Sequence, residues 1–133
     1  MPYKIIFMGT PQFSVPILET LVQSSYEISC VYTQPPKKSN RGQKINSSPI
    51  QNSAESLKLA IRYPNNLNTD EELNFFKKVN PDIVVVVAYG QIINKKFLDI
   101  PKKGFINVHA SLLPKWRGAA PIQRGIMNLD KQA

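Results

Sequence analysis

Apolar residues in this chain come in short unbroken runs that alternate with stretches of helical spacing. Lys4 to Met8 is such a run, ending at Gly9-Thr10-Pro11, the pattern of a strand buried on both faces and then a turn. Phe13, Val15, Ile17, Leu18, Leu21 and Val22 follow at roughly helical spacing, with Pro16 tolerable in the first turn. Ile28 to Thr33 reads as a second strand, so the unit is strand–helix–strand and predicts a parallel pair with a right-handed crossover. Ser48-Pro49 opens a helix to about Leu59, with Pro49 at the first helical position. Ala60 to Tyr63 is a short strand candidate. Thr69 is a candidate N-cap, followed by Asp70, Glu71 and Glu72 where the helix dipole favours acids, and that helix ends near Asn80-Pro81. Phe75 and Phe76 read as a core pair. Asp82 to Ala88 is β-branched and uninterrupted, which suits a central strand of a parallel sheet. A short helix is predicted over Asn94 to Asp99, a strand over Gly104 to His109, and a helix over Ala119 to Asn128. The alternation predicts an α/β fold, an open and doubly wound, mostly parallel sheet in a single domain.

Gln34 to Ser48 breaks the pattern. It carries Lys37, Lys38, Arg41 and Lys44, no acid and almost nothing apolar, and reads as a long exposed loop. The whole chain leans the same way: 17 Lys and Arg against 9 Asp and Glu give a formal charge of +8 over 133 residues. A basic balance favours an anionic partner such as nucleic acid. Charged residues are 20% and apolar ones 42% of the chain, ordinary for one globular domain.

Cysteine and histidine narrow the chemistry further. Cys30, the one cysteine, sits in an apolar run and reads as a buried, inert thiol. A single histidine leaves no Cys/His cluster with metal-ligand spacing, so no metal is expected. The N-terminal run is too short for a signal segment. The longest apolar run, Ile83 to Tyr89, is far below the ~20 residues of a membrane helix. A soluble, cytoplasmic protein without a membrane partner is expected.

In open α/β sheets, ligands bind outside the carboxyl ends of the strands. Four segments fall there: Gly9-Thr10-Pro11, Thr33 with the basic loop, Tyr89-Gly90, and Asn107 to Pro114. The first lacks the glycine spacing of a dinucleotide site, having one glycine and a proline in Gly9-Thr10-Pro11-Gln12-Phe13-Ser14. Asn107 and His109 lie two apart, so on a strand they share a face. Formyl or acyl transfer to an amine needs a donor for the developing oxyanion and a base for the amine proton, roles that an amide and an imidazole can supply. On spacing alone the simpler reading is a histidine closing a strand end, with Asn107 satisfying a turn.

The surrounding sequence alters that balance. Phe105-Ile-Asn-Val-His-Ala-Ser-Leu-Leu-Pro114, continuing through Lys115-Trp-Arg-Gly-Ala-Ala-Pro-Ile-Gln-Arg124, resembles the signature of the folate-dependent formyltransferases. Ile6 to Phe13 resembles that family's opening, Tyr32-Thr33-Gln34-Pro35 with Arg41-Gly42 and Lys44 its basic insertion, and Val86 to Gly90 a further motif. The resemblance runs from about Lys4 to Asn128. It looks most like the branch that formylates methionyl initiator tRNA. It implies 10-formyltetrahydrofolate as donor and the methionyl amino group of that tRNA as acceptor. Asn107 and His109 fall on the family's catalytic pair. Ser111, Leu112, Leu113 and Pro114 fall on its folate-holding turn, and Ala88, Tyr89 and Gly90 beside the pterin. Gly9, Thr10, Pro11 and Phe13 fall near the methionyl end, and Arg41 with Lys44 in the loop that meets the acceptor stem. An acid-free basic loop suits phosphate contact, with little base-specific information. Trp116 and Arg117 read as residues that shape their loop.

Branches acting on glycinamide ribonucleotide, on sugar amines or on formyl-folate itself share the Asn-x-His core; the basic loop and Gly118 to Gln123 favour the tRNA branch. The family's third catalytic residue is an Asp on a later strand, and a C-terminal barrel adds tRNA contacts. The chain ends before either, so it reads as an incomplete N-terminal catalytic domain of a parent expected to be monomeric. Alone it is expected to show at most trace turnover, or only weak binding of folate or tRNA.

Overall fold

The computed structural model describes residues 3–38 and 45–108. The first strand, β1, is Lys4–Gly9; after a one-turn 3₁₀ segment at Gln12–Ser14 comes α1 (Val15–Gln23), then β2 (Glu27–Tyr32). Two-residue strands β3 (Lys37–Lys38) and β4 (Ile45–Asn46) lead to α2 (Pro49–Ser56) and β5 (Ile61–Arg62). The remainder is α3 (Asp70–Val79), β6 (Ile83–Val87), α4 (Lys95–Leu98) and β7 (Phe105–Asn107).

The helices begin and end for local reasons. Ser48 accepts a hydrogen bond from the Gln51 N–H at the start of α2, and Thr69 accepts one from Glu72 N–H at the start of α3. Such side-chain caps each stabilise by about 1 kcal/mol. Three acids open α3 and Lys77 and Lys78 close it, both favourable to the helix dipole. Asn80, left-handed at φ 54°, then terminates it, its N–H donating to Phe76 O.

The main sheet has the order β5-β2-β1-β6-β7, every pairing parallel. A single row of partners, Arg62–Tyr32–Met8–Val86–Asn107, crosses all its strands. β1, β2 and β6 are nearly continuous apolar runs because both of their faces are covered. On one face Ile5, Phe7, Val31, Val85 and Val87 pack with Val15 and Leu18 of α1 and Ile50 and Ala54 of α2. On the other, Ile6, Met8, Tyr32, Val84 and Val86 pack with Phe76 of α3 and Phe97 of α4. The Phe76 ring lies 5.3 Å from Tyr32 and 4.9 Å from Phe97. Full burial of a side chain of this size stabilises by about 1.5–3 kcal/mol. Phe75 is half-buried instead, its ring 4.2 Å from the Arg62 guanidinium carbon.

The helices thus change face between β5 and β6, as the chain crosses β1 to build the other half of the sheet. This is the doubly wound arrangement expected from the sequence, and its switch point lies between β1 and β6. Three details differ from the expectation. Gln34 to Ser48 is not wholly irregular, because Lys37 pairs with Asn46 and Lys38 with Ile45 in a small antiparallel ribbon. β5 has only two residues, Ile61 and Arg62, where four were expected. α2 ends at Ser56, its C-cap being Leu57. The expected helix 119–128 lies outside the described residues, as do Trp116 and Arg117.

Candidate functional site at the topological switch point

β1 and β6 approach closely at their carboxyl ends because Gly9 has no side chain. A Cβ there would lie 2.9 Å from the Val87 carbonyl and 2.9 Å from Phe7 Cε2. Just beyond, the Thr10 hydroxyl donates to Tyr89 O at 2.7 Å, stitching the first turn to the segment after β6. Gln34 N–H donates to Thr10 Oγ1 at 3.3 Å. Thr33, wholly buried, shares a 2.6 Å hydrogen bond with the Ser48 hydroxyl. That contact clasps the root of the β3–β4 ribbon beside the switch point.

The segment after β6 is strained. Ala88 has φ 55° and Gly90 φ 104°, and both are exposed at the rim. Positive φ at a non-glycine residue survives only where its surroundings hold it. Gln91 does much of the holding. Its amide donates to Gln34 Oε1 at 3.0 Å and to Pro64 O at 3.1 Å, and its oxygen accepts from Leu67 N–H at 2.8 Å. Gln34 lies so close over Gly90 that a Cβ there would come within 2.5 Å of Gln34 Nε2.

The predicted residues sort as follows. Gly9, Thr10, Ala88 and Gly90 meet at the switch point, with Asn107 at the end of β7, in register with Val86. Pro11 is partly buried, and Phe13, 42% exposed, presents its ring to solvent from the 3₁₀ turn. Tyr89, between Ala88 and Gly90, has its ring buried against Tyr32, and burial pushes its hydroxyl well above the ordinary tyrosine value. Only its carbonyl faces the first turn. Lys37 and Lys38 are exposed on the ribbon. Arg41, Lys44, His109, Ser111, Leu112, Leu113 and Pro114 lie outside the described residues.

Two features of this end of the sheet left no mark in the sequence reading. One is the Thr10–Gln34–Gln91 hydrogen-bond set, whose residues follow no periodicity. The other is Glu72, read as a dipole-favoured acid and found buried. It accepts from Tyr32 OH at 2.6 Å and from Arg62 Nε at 2.8 Å and Nη2 at 3.0 Å. Burial raises its pKa, but the hydrogen bonds from Arg62 and Tyr32 and the Arg62 charge outweigh that and leave it lowered. Cys30 is fully buried, and burial pushes its thiol up to about 12, in keeping with the inert thiol expected. Among the described residues no group of acids, Cys and His has the makings of a metal site, and no helix is long and apolar enough to cross a membrane.

Gly9 at the end of β1, Ala88 and Gly90 just after β6, and Asn107 at the end of β7 thus lie at the carboxyl end of one doubly wound sheet. Residues 3–133 match the family described as formyl transferase, and the chain belongs to that family. It is 62% identical, over 99% of its length, to the methionyl-tRNA formyltransferase of Pelagibacter ubique, and 53% identical over 97% to that of Roseobacter denitrificans. The chain spans 43% and 42% of those two relatives. Among solved structures it resembles the phosphoribosylglycinamide formyltransferases of Bacillus halodurans and Anaplasma phagocytophilum. The TM-scores are 0.58 and 0.59, over 94% and 96% of this chain and 65% and 59% of theirs. At 15% and 19% identity these two share the fold.

Proposed function

We propose that this chain is the N-terminal catalytic part of a methionyl-tRNA formyltransferase. It would transfer the formyl group of 10-formyltetrahydrofolate to the amino group of methionyl initiator tRNA, in the cytoplasm where translation starts. The observation that carries this is the 62% identity to a protein of that name, sustained over 99% of the chain. In the reaction the methionyl nitrogen attacks the formyl carbon, the bond from that carbon to the folate N10 breaks, and the proton lost by the amine is matched by one gained at N10. Asn107 donates a hydrogen bond to the formyl oxygen as it becomes negative. His109 takes the amine proton. The exposed residues Ala88 and Gly90, beside the apolar core that buries Tyr89, fit the edge of a flat pterin, and Ser111, Leu112, Leu113 and Pro114 hold the folate. Gly9, Thr10, Pro11 and Phe13 shape the methionyl end. Lys37 and Lys38 on the ribbon, with Arg41 and Lys44, meet acceptor-stem phosphates.

The test is formylation of methionyl-tRNA by the full-length protein that carries these residues. Activity on glycinamide ribonucleotide or a sugar amine, and none on methionyl-tRNA, overturns the proposal. In the active protein, Asn107→Ala and His109→Ala should each cut turnover at least about 100-fold with tRNA affinity little changed. Arg41→Ala should do the reverse, and equal effects of the three on tRNA binding would refute the assigned roles.

A further inference from the structure

The strained turn and the basic ribbon share one set of anchors. Thr10 Oγ1 donates to Tyr89 O, Gln34 N–H donates to Thr10 Oγ1, and Gln91 Nε2 donates to Gln34 Oε1. Tyr89 and Gln91 flank Gly90 in the chain, so these bonds form a closed circuit around it. Gly90 fills the centre, its missing Cβ leaving room for the Gln34 carboxamide. Gln34 is also the residue after Thr33, whose bond to Ser48 clasps the ribbon root. The carboxamide of Gln91 is nearly saturated: both amide protons and one oxygen lone pair are engaged, by Gln34 on one side and by Pro64 and Leu67 of the loop before α3 on the other. A side chain wired in this way fixes backbone, and the backbone it fixes is the left-handed turn from Ala88 to Gly90.

We infer that Gln34 and Gln91 are positioning residues for the transfer reaction: their paired carboxamides hold the donor-side turn Ala88–Gly90 to the root of the acceptor-side ribbon. The inference rests on the function proposed above for its two sides, while the circuit itself is observed in the fold. It separates holding from packing. Gln34→Met keeps the bulk over Gly90 but offers no carbonyl oxygen to Gln91. Gln34→Glu keeps an acceptor in the same place.

The experiment uses the full-length protein and two readouts. In steady-state formylation of methionyl-tRNA, Gln34→Met should raise the KM for 10-formyltetrahydrofolate about 3- to 10-fold, the range for loss of one partly buried hydrogen bond, and Gln91→Leu, which gives up three, should raise it at least as much. Turnover at saturating donor should change less than about twofold. Gln34→Glu should stay within about twofold of wild type, and Gln34→Met should add nothing in the Gln91→Leu background. The second readout is amide hydrogen exchange over residues 88–92, which should speed up in Gln34→Met and not in Gln34→Glu. Additive effects of the two substitutions, an unchanged donor KM, or unchanged exchange in Gln34→Met would overturn the inference. Should wild type fail to formylate methionyl-tRNA, the proposed function falls, and exchange alone then decides whether the circuit holds the turn.

Discussion

Gly90→Ala is the sharpest test of the switch-point geometry, because it perturbs backbone and side chain separately. At φ 104° an alanine occupies a region that L-residues rarely adopt, which costs on the order of 1–3 kcal/mol. Its Cβ would also stand 2.5 Å from Gln34 Nε2 and 3.3 Å from Gln34 Cδ and Cγ. Those atoms are the far end of a flexible side chain, so Gln34 swings away and the collision itself is relieved. The swing forfeits the bond from Gln91, a further loss of about 0.5–1.5 kcal/mol. Together these predict a destabilisation of about 2–4 kcal/mol. Urea denaturation of wild type, Gly90→Ala, Gln34→Ala and the double variant separates the two parts. In the double variant the Gln91 bond is lost only once, so its cost should fall short of the sum of the singles by about 1 kcal/mol. Strict additivity, or a Gly90→Ala cost below about 0.5 kcal/mol, would refute the reasoning.

Three further substitutions have clear expected outcomes. Gly9→Ala places a Cβ 2.9 Å from the Val87 carbonyl, which a parallel ladder holds in place, so a loss above about 3 kcal/mol is expected; a melting temperature within about 2 °C of wild type would contradict it. Glu72→Gln leaves Arg62 and Tyr32 facing a neutral amide in a buried site and should cost about 2–4 kcal/mol in denaturation. Glu71→Gln should cost under about 0.5 kcal/mol, because Glu71 touches Arg62 only at 3.4 Å and is largely exposed. The Glu72 carboxyl is lowered in the folded protein, so its contribution is whole above the ordinary glutamate range and fades as pH falls through the lowered value. The wild-type stability curve should therefore drop below about pH 5 more steeply than that of Glu72→Gln, and parallel curves would count against this.

Much of this fold was legible from periodicity, and the reasons are physical. Val84 to Val87 and Ile5 to Met8 announce strands because both of their faces must be apolar, a demand written into each residue. Ser48 and Thr69 announce helix starts because a cap is a bond within one turn. What depends on a distant partner left little trace. Lys37-Lys38 and Ile45-Asn46 have no strand signature; they lie side by side where Thr33 and Ser48 bring the chain ends together. Glu72 is buried because Arg62 and Tyr32 arrive from other strands. Tyr89 is buried between exposed Ala88 and Gly90, its ring against Tyr32 of a distant strand. At the site, the glycines and Asn107 were readable from motif order, whereas Gln34 and Gln91 became visible only when the sheet placed them together.

The strand order has a consequence for how the protein is made. β1 lies at the centre, with β2 on one flank and β6 on the other, and the second partner is distant: Lys4 meets Asp82 across 78 residues of sequence. At ribosomal speeds of roughly 5–20 residues per second, β1 emerges roughly 4–16 s before β6 can reach it. Through that interval the half-sheet of β5, β2 and β1 presents an open ladder edge along Ile5 to Gly9, lined by residues that end up wholly buried. An exposed apolar edge of that kind is a template for pairing with other chains. The vulnerable moment of this fold is therefore its synthesis, and a nascent-chain chaperone would find its target in Ile5 to Gly9.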